Sequence, residues 1–308
     1  MEIELKIFLD IKPIKCYFEK KDRKEGVYKM SIVIRQSLLK KYHSCPLQAR
    51  FFLDGVKPDN LSMLAFIGIG VHYAIEQWRT GKCTDKDITK VAQKKINDQV
   101  KATDIPINRS DSADKKLEEL PVVLQEFVKD NKGQKAFACE IPFKVSIAGI
   151  ECEGIIDELC FLKQGDFAVN LIDYKTDAVE PKGKYLECDV QFSLYQIAVQ
   201  EGLLFLDNEW KKCPYVLADV YWYQIWNLVP YKKKVTKGGK TYMAGEYRGE
   251  RKIPAKRSPT ELMISKMEIA QMAKDIMDPT RFFYRTSRKF MACDICSYEK
   301  HCSSYNPF

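Results

Sequence analysis

Apolar positions change their period near residue 135, and the change divides the chain. Upstream the period is helical. Leu38, Leu39 and Tyr42 form one stripe, which predicts an amphipathic helix over 35–53, entered at Ser37 and broken or kinked by Pro46 just after Cys45. Residues 61–79 are nearly all apolar until Glu76-Gln77-Trp78-Arg79, which predicts a second and more central helix. Thr84 and Asp85 predict the cap of a polar helix over 85–103, and another helix is predicted over 112–130. Ahead of these, residues 1–30 are charged and alternating, with Ile3, Leu5, Ile7 and Leu9 on one parity. They predict an N-terminal strand or hairpin.

Downstream the chain changes character and strands appear. Three successive strands are predicted over 136–145, 150–162 and 167–174, with Gly149 and Gly165 in the turns between them. A helix over 188–204 and a strand over 215–227 follow, with Trp222, Tyr223 and Trp226 expected to pack against the sheet. Residues 228–257 are strongly basic, with Gly238-Gly239 as the expected hairpin turn. Ser258 and Glu261 form a capping box for an amphipathic helix over 259–277. No long Gly/Ser/Pro linker interrupts the chain. The pattern predicts one α/β domain over 1–308, in which a helical lobe (35–130) precedes a core (136–227), a basic hairpin (228–257) and a C-terminal segment (259–308).

Composition narrows the class. Of 308 residues, 45% are apolar, enough for a substantial core and against global disorder. No apolar run reaches the length of a membrane span and no secretory signal opens the chain, so a cytoplasmic (intracellular) protein with no membrane association is expected. The net charge of +8 leans toward a polyanionic partner and is equally compatible with ordinary solubility. Eleven cysteines are many for such a chain. Cys16, Cys83, Cys139, Cys152, Cys160, Cys188 and Cys213 are scattered, and read as small buried hydrophobes. Cys293-x2-Cys296-x5-Cys302 is a cluster, and fits a zinc site with His301 or a group of loose thiols.

The candidate chemistry lies in the strands. Asp173-Tyr174-Lys175 closes an apolar run, so its carboxylate and lysine share one strand face. Gly154-Ile155-Ile156-Asp157 lies on the strand before, and Gln191 and Tyr195 stand four apart on the helix after. Two carboxylates and a lysine at a sheet end suit metal-dependent phosphodiester hydrolysis. A solvated strand terminus with a salt bridge is the plainer alternative. His72, in the most apolar helix, is by default a core histidine, and becomes a ligand candidate only beside such a carboxylate pair. In the basic segment Lys232, Lys233, Lys234, Tyr242 and Arg251 are candidates for phosphate contact and base stacking.

The ordered set Gly-x-x-Asp, Asp-x-Lys and Gln-x-x-x-Tyr, with a helical histidine upstream, resembles the RecB-type branch of the PD-(D/E)xK nucleases. The resemblance spans roughly 35–302. It implies a restriction-endonuclease-like α/β core, a central mixed sheet flanked by helices, with a helical insertion. It implies that His72, Asp157, Asp173 and the backbone carbonyl of Tyr174 bind Mg²⁺ or Mn²⁺, with Lys175 catalytic and Gln191 and Tyr195 steadying the site and contacting nucleic acid. Glu140 is a candidate for a second-metal or supporting position.

Ser37-x7-Cys45-Pro46 followed much later by the cysteine triplet is similar to the iron–sulfur subset of that branch, which includes the AddAB nuclease domain and the CRISPR-associated adaptation nuclease. It implies a [4Fe–4S] cluster on Cys45, Cys293, Cys296 and Cys302 that clasps the early helix to the C-terminus. The function so implied is a metal-dependent DNase, an exonuclease acting on single-stranded or end-bearing DNA in recombination, repair or processing. With no Walker A motif, unwinding would fall to a helicase or recombination partner. A non-catalytic nucleic-acid-binding subunit with the same fold is the alternative, and a structural iron–sulfur protein with an incidental acidic site is a third reading.

Overall fold

A computed structural model describes residues 33–134, 136–163, 167–176, 189–237, 239–278 and 296–304. The expected N-terminal hairpin (1–30), Cys16, Cys188, Cys293 and Gly238 lie outside them. A two-residue strand, β1 (Ile34–Arg35), leads into α1 (Gln36–Ser44) and α2 (Pro46–Leu53). These are two helices where one kinked helix was a possible reading. Cys45 is extended between them (φ −160°, ψ 112°), and Pro46 opens α2 at a position where its missing N–H costs nothing. After β2 (Leu61–Ser62) comes α3 (Met63–Arg79), capped by the Ser62 side chain. The next helix, α4 (Ile88–Ala102), starts later than expected. Thr84 spends its hydroxyl on Asp87, and Asp85 accepts from the Trp78 indole, so neither caps it. A second short strand, β3 (Ile107–Asn108), pairs in parallel with β2, and α5 (Asp111–Asn131) follows.

The sheet then forms from β4 (Ala136–Ile147), β5 (Ile150–Phe161) and β6 (Ala168–Lys175). The helix expected over 188–204 is shorter: α6 (Val190–Glu201) ends at Gly202. A Cβ at Gly202 would lie 2.6 Å from the Lys144 carbonyl oxygen and 2.7 Å from that of Ala198. The apolar run beyond it alternates exposed and buried, and is the strand β7 (Leu203–Leu206). It turns into β8 (Glu209–Lys211), and β9 (Val216–Gln224) ends in a 3₁₀ turn at Ile225–Leu228. The basic segment holds the small hairpin β10 (Val235–Lys237) and β11 (Lys240–Tyr242), but its end, β12 (Lys252–Pro254), joins the main sheet beside β9. The helices α7 (Pro259–Met277), with the expected Ser258–Glu261 capping box, and α8 (Glu299–Ser304) complete the described chain.

The main sheet runs β12-β9-β6-β5-β4-β7-β8, with β1 parallel to the start of β5. It is mixed: β6 pairs antiparallel with β5 and parallel with β9. Strand parity sorts two cores. Val169 and Leu171 pack with α1, α6 and α7, while Ile172 and Tyr174 pack with α3, α4 and α5. Asp173 and Lys175 therefore point to the α1 and α6 side. Trp222, Tyr223 and Trp226 are buried as expected. Among the described residues no helix is long and apolar enough to cross a membrane.

Candidate metal centre and cleft

Asp173 and Lys175 end β6, and Lys175 Nζ lies 2.6 Å from Asp173 Oδ2. The first turn of α6 meets them. Its start is fixed by Asp189, whose carboxylate accepts from the Gln191 amide at 2.7 Å. The Gln191 side chain then does three things. Its Nε2 donates to Asp173 Oδ1 at 2.9 Å and to the Tyr195 hydroxyl at 2.8 Å, and its Oε1 accepts from Lys175 Nζ at 2.7 Å. The helical spacing of Gln191 and Tyr195 is thus a direct contact. The Lys175 ammonium also lies 5.2 Å from the ring centre of Trp222 and 5.7 Å from that of Phe192, an aromatic lining the sequence pattern did not single out.

Asp157 comes in from β5. Its Oδ2 accepts from the Tyr174 amide at 2.7 Å, which ties it to the neighbouring strand. Gly154, three residues earlier, lies opposite Phe143, and a Cβ there would stand 2.6 Å from the Phe143 ring. From the other layer, α3 turns His72 toward the same point. His72 Nδ1 lies 3.5 Å from Asp157 Oδ2 and 4.0 Å from Glu140 Oε1. Donor atoms of His72, Glu140 and Asp157 all lie within 4.8 Å of one another. His72 is therefore not a histidine satisfied within the apolar core. Glu140 holds its place with φ 48°, a left-handed conformation that an L side chain adopts at a cost.

The charges are crowded. Burial raises Glu140 to about 7 and Asp173 to about 6, with the Asp157 charge adding to both. Burial alone would push His72 down, but Asp157, Glu140 and Asp173 outweigh it and hold the imidazole up at about 9. Asp157 keeps its proton off more readily than an ordinary aspartate, because His72 and Lys175 outweigh its burial. Three carboxylates in one place need compensating positive charge, and a divalent cation among these oxygen and imidazole donors is the compact way to supply it. Behind the centre, the fully buried Glu158 pairs with Arg79 at 2.9 Å and accepts from the Tyr174 hydroxyl at 2.6 Å, pinning α3, β5 and β6 together.

A cleft of about 470 Å³ opens on this centre. Its floor includes His72, Asp157, Asp173, Lys175 and Gln191. Its other wall is α1, through Gln36, Ser37, Lys40, Lys41 and Ser44. No pattern in the sequence marks those polar residues of α1 as part of a site.

The remaining candidates lie elsewhere. Lys232, Lys233 and Lys234 are exposed, and Tyr242 packs against Tyr231 at 4.9 Å. Arg251 is ion-paired with Asp130 of α5. Arg248 likewise makes a two-pronged contact with Glu119, 2.8 Å on one arm, and Tyr247 donates to Glu126. These side chains fasten the basic segment to α5. Cys45, Cys296 and Cys302 pack around one small cluster of Leu47, Phe51 and Tyr298.

The family model described as PD-(D/E)XK nuclease superfamily matches residues 35–303. Among solved structures the chain is similar to one titled "Crystal structure of SSO0001", at 13% identity over 87% of this chain and 95% of that one. The TM-score is 0.30, too low to support an argument about fold. No curated protein matches.

Proposed function

This chain belongs to the PD-(D/E)XK nuclease superfamily, and we propose that it is a Mg²⁺- or Mn²⁺-dependent deoxyribonuclease, an exonuclease acting on single-stranded ends. What supports the reading is the meeting of Asp157, Asp173 and Lys175 with His72 at the floor of one cleft, with Glu140 beside His72 and Asp157. His72, Asp157, Asp173 and the Tyr174 carbonyl would hold the cation, with Glu140 beside them. When bound, the cation supplies a Lewis acid for a phosphoryl oxygen and lowers the pKa of water.

The protein's own groups do the rest. Lys175 presents a buried ammonium, held by Asp173 and Gln191, to the charge that develops on the phosphoryl oxygens in the transition state. Gln191 fixes Lys175 and Asp173 as one unit, and Tyr195 fixes Gln191. Asp157 is oriented by the Tyr174 amide before any ligand arrives.

The same reading gives the tail a [4Fe–4S] cluster on Cys45, Cys293, Cys296 and Cys302. Three of these cysteines pack against the same side chains, Leu47, Phe51 and Tyr298, and four thiolates suit such a group. The rival zinc site would need His301, whose Nε2 is 3.1 Å from the Lys57 carbonyl oxygen and 3.7 Å from Asp59 Oδ1.

The test compares linear and circular single-stranded DNA, with Mg²⁺, Mn²⁺ or a chelator. Cleavage of the linear form alone, abolished by chelation, is expected. Cleavage of circles would overturn the exonuclease assignment. Tight binding with no cleavage of any DNA in either metal would favour a non-catalytic binding subunit.

A further inference from the structure

We infer that Lys40 binds a backbone phosphate of the substrate strand. The inference deepens the nuclease reading and rests on it. The cleft has two unlike walls. One carries Asp157 and Asp173 at the candidate cation position, with Glu140 close behind, near His72 and Asp157. The other is α1, whose apolar residues Leu38, Leu39 and Tyr42 are buried while Gln36, Ser37, Lys40 and Ser44 line the cleft. That wall holds hydroxyls, an amide and ammonium groups, and no carboxylate. A nucleic-acid strand in the cleft needs its reacting phosphate at the acidic wall and cations for its flanking phosphates.

Lys40 and Lys41 are not equivalent. Lys41 is half-buried, lies over the Phe52 ring at 5.1 Å and is held below its usual pKa by burial, so it belongs to the packing. Lys40 is exposed, and its Nζ lies 3.4 Å from Gln191 Oε1. That oxygen already accepts from Lys175 Nζ at 2.7 Å. Two ammonium groups thus share one neutral acceptor, the shorter contact belonging to the buried lysine. The longer contact is weak at that distance and leaves Lys40 able to turn to a better acceptor. A phosphate next to the scissile one is such an acceptor within reach.

The experiment measures KM and kcat on single-stranded DNA, and the affinity for a labelled oligothymidylate with Ca²⁺ in place of Mg²⁺, over a range of salt. Lys40→Ala should raise KM and Kd roughly tenfold, as for loss of one charge-assisted hydrogen bond. It should flatten the slope of log K against log salt by about 0.7, one phosphate contact on a single strand, and leave kcat within about twofold. Lys40→Arg should restore both binding readouts. Lys94→Ala, on an exposed face of α4 outside the cleft, removes the same charge and should change neither.

An unchanged KM and salt slope in Lys40→Ala overturns the inference. So does a loss of kcat with binding intact, which would mean that Lys40 acts only through Gln191. Equal effects from Lys94→Ala would show general charge rather than a contact. Wild-type protein that binds the oligonucleotide but cuts no DNA overturns the nuclease reading alone, and the binding arm still decides the contact of Lys40.

Discussion

Lys175 keeps its charge in a place where burial would ordinarily remove it. Burial pushes its pKa down, but Asp173 and Asp157 push it further up, so the ammonium is retained. We expect Lys175→Ala to lower kcat by about 10²–10³-fold or more, the scale of losing a group aimed at transition-state charge. The circular dichroism of the variant should remain native, because Asp173 can take up a proton once its partner is gone. Cleavage at the wild-type rate would remove Lys175 from the chemistry. The triplet itself was legible, because a charged pair closing an apolar strand is an anomaly of pattern. Glu140 was barely legible, since a left-handed residue leaves no mark on alternation. Its conformation gives a second expectation. Glu140→Gly and Glu140→Ala should both weaken Mn²⁺ binding in titration calorimetry, yet the glycine variant should be more stable than the alanine variant by about 1 kcal/mol. Equal melting temperatures for the two would mean that the conformation costs nothing.

Where two elements meet, one missing side chain does the spacing. Gly154 on β5 lets the Phe143 ring lie across it, and Phe143 meets Tyr195 edge-on at 5.7 Å. Tyr195 in turn accepts from Gln191, which holds Lys175. A methyl group at 154 should therefore be felt at the centre. Gly154→Ala is expected to cost about 1–3 kcal/mol by overpacking and to lower kcat. Adding Phe143→Leu should recover part of the stability, because it gives the methyl room. Strictly additive losses in the double variant would show that the two positions do not contend for the same space.

The strands were readable as short apolar runs bounded by turn residues such as Gly149, since a strand buried on both faces reads as a run. The end of α6 was not: Leu203–Leu206 is an apolar run that fits either period, and only its contact with β4 makes it a strand. The cap of α4 was misplaced because Thr84 and Asp85 have other partners, which composition cannot reveal. The polar face of α1 was not legible as part of a site, because the sequence does not say that an acidic cleft lies beyond it.

At the scale of the molecule, hydrogen bonds and ring packing join the segment around Asp59 to the segment around Ser297. The Asp59 amide donates to the Ser297 carbonyl at 2.6 Å, and Asp59 Oδ2 accepts from the Lys300 amide at 2.9 Å. Phe51 and Tyr298 pack at 5.7 Å. Cys45 sits at the junction of α1 and α2, so whatever holds Cys45 also holds the α1 wall of the cleft. Sequence spacing led to the expectation of a clasp, and Cys45, Cys296 and Cys302 all pack against Leu47, Phe51 and Tyr298.

We expect anaerobically purified protein to be brown, with iron and sulfide near four each per chain, as a [4Fe–4S] cluster requires. Cys45→Ala should lose the colour and lower the melting temperature about as much as Cys296→Ala or Cys302→Ala, since each opens the same long loop. Cys160→Ala, a buried thiol in the other core, should cost only about 1 kcal/mol and keep the colour. Phosphodiester hydrolysis needs no redox step, so activity should fall with the folded fraction and with strand affinity, through α1, rather than through the turnover of intact molecules. Colourless protein with stoichiometric zinc would identify a different metal. A cluster retained in Cys45→Ala would separate the tail from the early helices, and with them from the cleft.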